Sequence, residues 1–130
     1  MLKSALLVAA GIVVGAGAIQ GLHAATGGGY YTVAEINVKD RATYDKDLPA
    51  VLSTIKVAGG VYLAGGFDKA TLEYGSPGVP PVANRYVIIR YDSKDGYEKA
   101  RATGIKKFVG EQEKTGTTFR QVGVEGVEAK

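Results

Sequence analysis

The chain predicts one α+β domain in the order β-α-β-β-α-β, a four-stranded antiparallel sheet with helices on one face. Three observations carry that prediction. The length of 130 residues suits one domain. Four short segments are rich in β-branched and aromatic residues. Two others repeat apolar residues at helical spacing, one after the first strand and one before the last.

Residues 30–38 (YYTVAEINV) read as the first strand. Alternation places Thr32, Ala34, Ile36 and Val38 on one face and Tyr31, Val33, Glu35 and Asn37 on the other. Asp40 is a natural N-cap, and Tyr44, Leu48, Val51, Leu52 and Ile55 follow as one buried stripe. Pro49 removes a backbone donor, so a kink or a restart is expected near Asp47. Gly59-Gly60 closes the helix. Residues 61–66 (VYLAGG) form the second strand, with 70–74 as a possible continuation.

Residues 75–84 (GSPGVPPVAN) hold three of the four prolines and read as a loop, either a surface excursion or a lid over a pocket. Residues 85–91 (RYVIIRY) are the plainest strand. Ser93 is placed to cap a second helix whose stripe runs through Tyr97, Ala100, Gly104, Phe108 and Gln112. Gly104 should break it, since an interior glycine costs about 1 kcal/mol against alanine. Residues 117–124 (TTFRQVGV) complete the sheet. This is the ferredoxin-like, or split βαβ, arrangement. The second sheet face carries Tyr31, Val33, Tyr86 and Ile88, too apolar for open solvent, so a homodimer through that face is expected.

The first 25 residues differ from the rest. Lys3 precedes an apolar run over 5–19, and small residues follow at Ala24 and Ala25. That pattern reads as a secretory signal peptide over 1–24, cut after Ala24, with a flexible spacer over 25–29 and the domain over 30–128. The rival reading is an uncleaved anchor, the only expected route to a membrane. Either way the protein is expected to be periplasmic or secreted.

Composition narrows the chemistry. The net charge of +3 is scattered and leaves no nucleic-acid footprint. There is no cysteine, and the single histidine, His23, is lost on cleavage. The usual zinc site and Ser-His or Cys-His pairs are therefore excluded from the mature chain, and no metal or cofactor is expected.

Residues 30–127 resemble the domain of unknown function 1330 family, within the dimeric α/β-barrel superfamily. The resemblance rests on YTVAEINV from Tyr31, the Tyr44, Pro49, Ile55 spacing, AGGVYLAGG, LEYG, RYVIIRYDS and FRQVGVEGV. It implies a ferredoxin-like protomer whose sheet meets a partner's sheet. Cofactor-free monooxygenases, lactone isomerases and haem-degrading enzymes occur in that superfamily; the family itself has no assigned reaction.

Glu35 is the candidate catalytic residue, a general base beside Arg90 if their faces coincide; the alternative is an interfacial ion pair fixing register. Tyr31, Tyr62, Tyr86, Arg85 and Arg90 are candidate ligand-binding residues. Arg85 would hold an anion or, more simply, make an edge salt bridge. The leading function is a binding or accessory module for a small apolar or aromatic ligand. A cofactor-free isomerase or monooxygenase-like enzyme using Glu35, and a ligand-free structural dimer, are the alternatives.

Overall fold

A computed structural model describes residues 28–127. The expected signal segment, most of the spacer and the last residue of the expected domain lie outside the described residues. Residues 31–124 form one compact unit, which holds the core. Gly28–Tyr30 and 125–127 belong to a separate unit, in which the Gly126 N–H donates to the Gly29 carbonyl at 2.9 Å.

Strand β1 (Tyr30–Asn37) leads into helix α1 (Arg41–Val57), then β2 (Val61–Phe67) and β3 (Arg85–Tyr91). A helical arm follows as α2 (Lys94–Ala100), a π-helical turn (Arg101–Ile105) and α3 (Lys106–Glu113), and β4 (Thr118–Glu125) ends the fold. The strands lie in the order β2-β3-β1-β4 as an antiparallel sheet, the predicted ferredoxin-like topology with β1 and β3 central.

Burial alternates along β1 and β3 as the side-chain period of two demands. Thr32, Ala34 and Ile36 are buried with Arg85, Val87, Ile89 and Tyr91. Tyr31, Val33, Glu35, Tyr86, Ile88 and Arg90 are half-buried and share the opposite face. Asp40 caps α1 as predicted, its carboxylate accepting from the Thr43 N–H at 3.0 Å and the Thr43 hydroxyl at 2.8 Å.

Three local expectations are corrected. Helix α1 runs through Pro49 without the restart that was one of the two expected outcomes. Pro49 and Asp45, four residues before it, are both exposed, so water can serve the carbonyl that proline leaves without a donor. Residues 70–74 are no strand; 71–81 are exposed throughout, so the proline-rich segment is a surface excursion. Glu35 and Arg90 do share a face, but they do not pair. The Asn84 side chain bonds the Val38 N–H at 2.9 Å and the Val38 carbonyl at 3.0 Å, which sets the start of β3 against the end of β1. Arg90 therefore lies roughly 10 Å or more along the sheet from Glu35, at about 3.3 Å per residue.

The predicted break at Gly104 is present as the π-helical turn. A Cβ at Gly104 would come within 2.8 Å of the Thr54 hydroxyl oxygen, so glycine is what lets α1 approach here. At the sheet edge, β2 carries an irregularity between Tyr62 and Ala64. Gly65, at φ +130°, brings its backbone against the Tyr86 carbonyl, where any side chain would collide.

Candidate functional site

The two sheet faces divide the predicted site residues between them. On the helix side, a cavity of about 60 Å³ lies between the sheet and helices α1 and α3. Its wall is mostly apolar, with Arg85, Tyr44, Tyr62, Tyr91, Thr32 and Gln121 supplying polar groups. That composition, apolar with a few converging polar atoms, is the usual lining of a small-molecule site. The volume, far below the roughly 300–1,000 Å³ of a drug-sized pocket, admits only a very small ligand.

Arg85 enters the cavity because the alternation of β3 that buries Val87, Ile89 and Tyr91 turns it inward as well. It is 7% exposed. Its Nε donates to the Tyr44 hydroxyl at 3.0 Å and its Nη2 to the Tyr62 hydroxyl at 3.4 Å. The guanidinium carbon stands 4.8 Å from the centre of the Phe67 ring and 5.2 Å from that of Tyr44. Phe67 is there because it is the partner of Arg85 in the β2/β3 register.

The simpler expectation of an edge salt bridge is thereby corrected. Strand β3 is interior to the sheet, and among the described residues Arg85 makes no ion pair. A second guanidinium, Arg41 at the start of α1, stands 3.7 Å over the same Phe67 ring. Arg41 is exposed and likewise takes part in none of the ion pairs among the described residues.

Burial pushes the Tyr44 hydroxyl above its ordinary pKa, against the opposing pull of Arg85. Tyr91, 0% exposed, is pushed up to about 12, first by burial and then by neighbouring Tyr97. Among the described residues its hydroxyl has no hydrogen-bond partner. A buried hydroxyl without a partner costs about 1–3 kcal/mol, so the cavity wall carries an unmet polar demand.

On the open face, Glu35 is bound on both oxygens. Arg120 Nη1 donates to Oε2 at 2.6 Å, and the Tyr86 hydroxyl donates to Oε1 at 3.4 Å. Arg90 pairs with Asp92 at 3.1 Å. Tyr31 lies on this face as well, and Glu35 does not line the helix-side cavity. The structure thus brings Tyr62 and Arg85 together, sets Tyr86 beside Glu35, and separates the two groups by the thickness of the sheet.

Sequence reasoning missed Tyr44, Phe67 and Arg41 as companions of Arg85. The one available signal was positional: an arginine in phase with Val87 and Ile89 must point where they point. Among the described residues, no three His, Asp or Glu side chains cluster as a metal site, and no helix is long and apolar enough to cross a membrane.

No family model matches the chain, and no curated protein matches it. Among solved structures, the chain is similar to an EthD-like protein from Ralstonia eutropha JMP134 at 19% identity and a TM-score of 0.47, over 75% of this chain and 91% of that one. It is also similar to a dimeric ferredoxin-like protein from an uncultured marine organism at 18% identity and a TM-score of 0.42, over 78% and 95% respectively.

Proposed function

We propose that the protein is an exported small-ligand-binding protein that works as a homodimer of the dimeric α/β-barrel type. Its ligand occupies the cavity between sheet and helices. The observation that carries this reading is the cavity itself, apolar over most of its wall, with the unpartnered Tyr91 hydroxyl and the buried Arg85 both in it.

The dimer is supported by the open face. There Tyr31, Val33, Tyr86 and Ile88 are half-buried, while Val61, Val122 and Val124 are 54%, 43% and 51% exposed. A contiguous apolar sheet face of this kind calls for a cover, and a second copy related by a two-fold axis supplies one of matching character. The strand and loop segments quoted above support membership of the domain of unknown function 1330 family. The apolar run over 5–19 behind Lys3 supports export.

Native mass spectrometry of the protein secreted from its own host, with no ligand added, tests the proposal. A dimer of mature chains carrying additional mass is expected. A monomer would remove the argument from the open face, and a dimer of bare chains would count against a resident ligand.

A further inference from the structure

We infer that the ligand is a small carboxylic acid, bound as its anion with the carboxylate against Arg85 and its short apolar tail in the cavity; this deepens the small-ligand reading and rests on it.

The argument is one of unmatched donors. Arg85 is buried, charged and without an acidic partner among the described residues. Burying a cation is costly unless it is paired. Its two hydrogen bonds end on tyrosine oxygens, so the Tyr44 and Tyr62 hydroxyls are used as acceptors. A hydroxyl that accepts still has its own proton to place. Among the described residues neither hydroxyl donates to a protein acceptor, and no hydrogen bond runs from Arg85 Nη1. One buried cation and two hydroxyl donors thus meet at the cavity wall, and the missing component is an anionic acceptor.

Shape selects a carboxylate among anions. The guanidinium fork matches a planar two-oxygen acceptor. A cavity of about 60 Å³ has room for roughly four to six non-hydrogen atoms, at about 10–15 Å³ of probe-occupied space each. Tyr62, at 41% exposure, leaves the Arg85 end within reach of solvent, so the charged head can sit toward the outside and the tail inward.

The test is a titration of the full-length chain with propionate and with its neutral isostere propionamide, at constant ionic strength, followed by amide and methyl NMR shifts. Propionate should saturate in the millimolar range with shifts centred on Arg85, Tyr62 and Phe67, and propionamide should bind at least about tenfold more weakly. Tyr62→Phe, at a residue 41% exposed, removes one of the two hydroxyl donors and should weaken propionate several-fold. Arg85→Met should abolish the preference for the acid.

Equal binding of acid and amide in the cavity would overturn the inference while leaving a ligand-binding protein in place. Inorganic phosphate displacing propionate at equal concentration would also overturn it, because the site would then answer to charge alone. Binding of neither probe by the folded chain would overturn it, and bare chains in the native mass spectrum would then overturn the wider reading as well.

Discussion

On the helix side of the sheet, Ala34, Ile36 and Ile89 are 6%, 3% and 4% exposed, and the aromatic rings of Tyr44, Phe67, Phe108 and Phe119 meet edge to face above them. On the other side, Val33, Tyr31 and Ile88 have similar size and polarity and are only half-buried. The difference lies in which groups occupy the polar positions. The covered side holds a cation without an acid, and the open side holds Glu35 and Arg120 as a matched pair. A matched pair at the surface is satisfied and solvated, whereas a buried lone cation asks for a ligand. The lesson is that apolar content alone does not say which face binds; the balance of donors and acceptors does.

The largest expected effect sharpens this contrast. Tyr44→Ala on the covered face should cost about 3–5 kcal/mol in urea unfolding, the usual price of removing a buried aromatic side chain. Val33→Ala on the open face should cost less than about 1 kcal/mol when measured on dilute monomer. Equal costs would mean that both faces are packed within one chain.

Next is Ile88→Asp, a charge placed in the middle of the open face. It should weaken self-association roughly 30-fold or more, as loss of a central interface contact does, with far-ultraviolet circular dichroism unchanged. Light scattering behind size exclusion reads this directly. An unchanged mass would place the association elsewhere.

Alkaline stability separates the faces again. Tyr91 is held protonated to about 12 when folded, against 10.0 for the unfolded group, and Tyr44 is shifted in the same direction. With the folded pKa raised, the folded state holds more protons between those values. Stability is therefore full below pH 10.0 and lost as pH rises toward 12. Urea midpoints across that range should fall, and Tyr91→Phe should make the fall shallower. At neutral pH the same substitution should stabilise the fold by up to about 1–3 kcal/mol, since it removes a buried hydroxyl that has no partner among the described residues.

The smallest effect is expected for Glu35→Gln. Arg120 is 72% exposed at its side chain and Glu35 34%, and a pair so open is worth less than about 1 kcal/mol. A larger shift in the urea midpoint of the monomer would give Glu35 a structural weight that its exposure does not suggest.

The fold was legible wherever a local rule governed it. Alternation marked β3 from Arg85 to Tyr91 to the residue, Asp40 capped α1, and Gly104 marked the π-helical turn. The site was less legible because its contacts depend on register. Glu35 meets Arg120 across 85 positions of sequence, and no local pattern sets which β4 residue lies beside β1. Arg85 meets Tyr44 across 41 positions, through a helix whose azimuth is set by packing. Pro49 misled for a related reason: its cost depends on whether the orphaned carbonyl faces water.

The edge strand β2 has a further consequence. Its irregularity between Tyr62 and Ala64, and the left-handed glycines at 65 and 66, interrupt the flat row of amides that a free strand edge would offer. An incoming strand would find no continuous template there and could not extend the sheet sideways. Growth by edge addition is therefore blocked at β2, one of the two edges of the sheet, the other being β4.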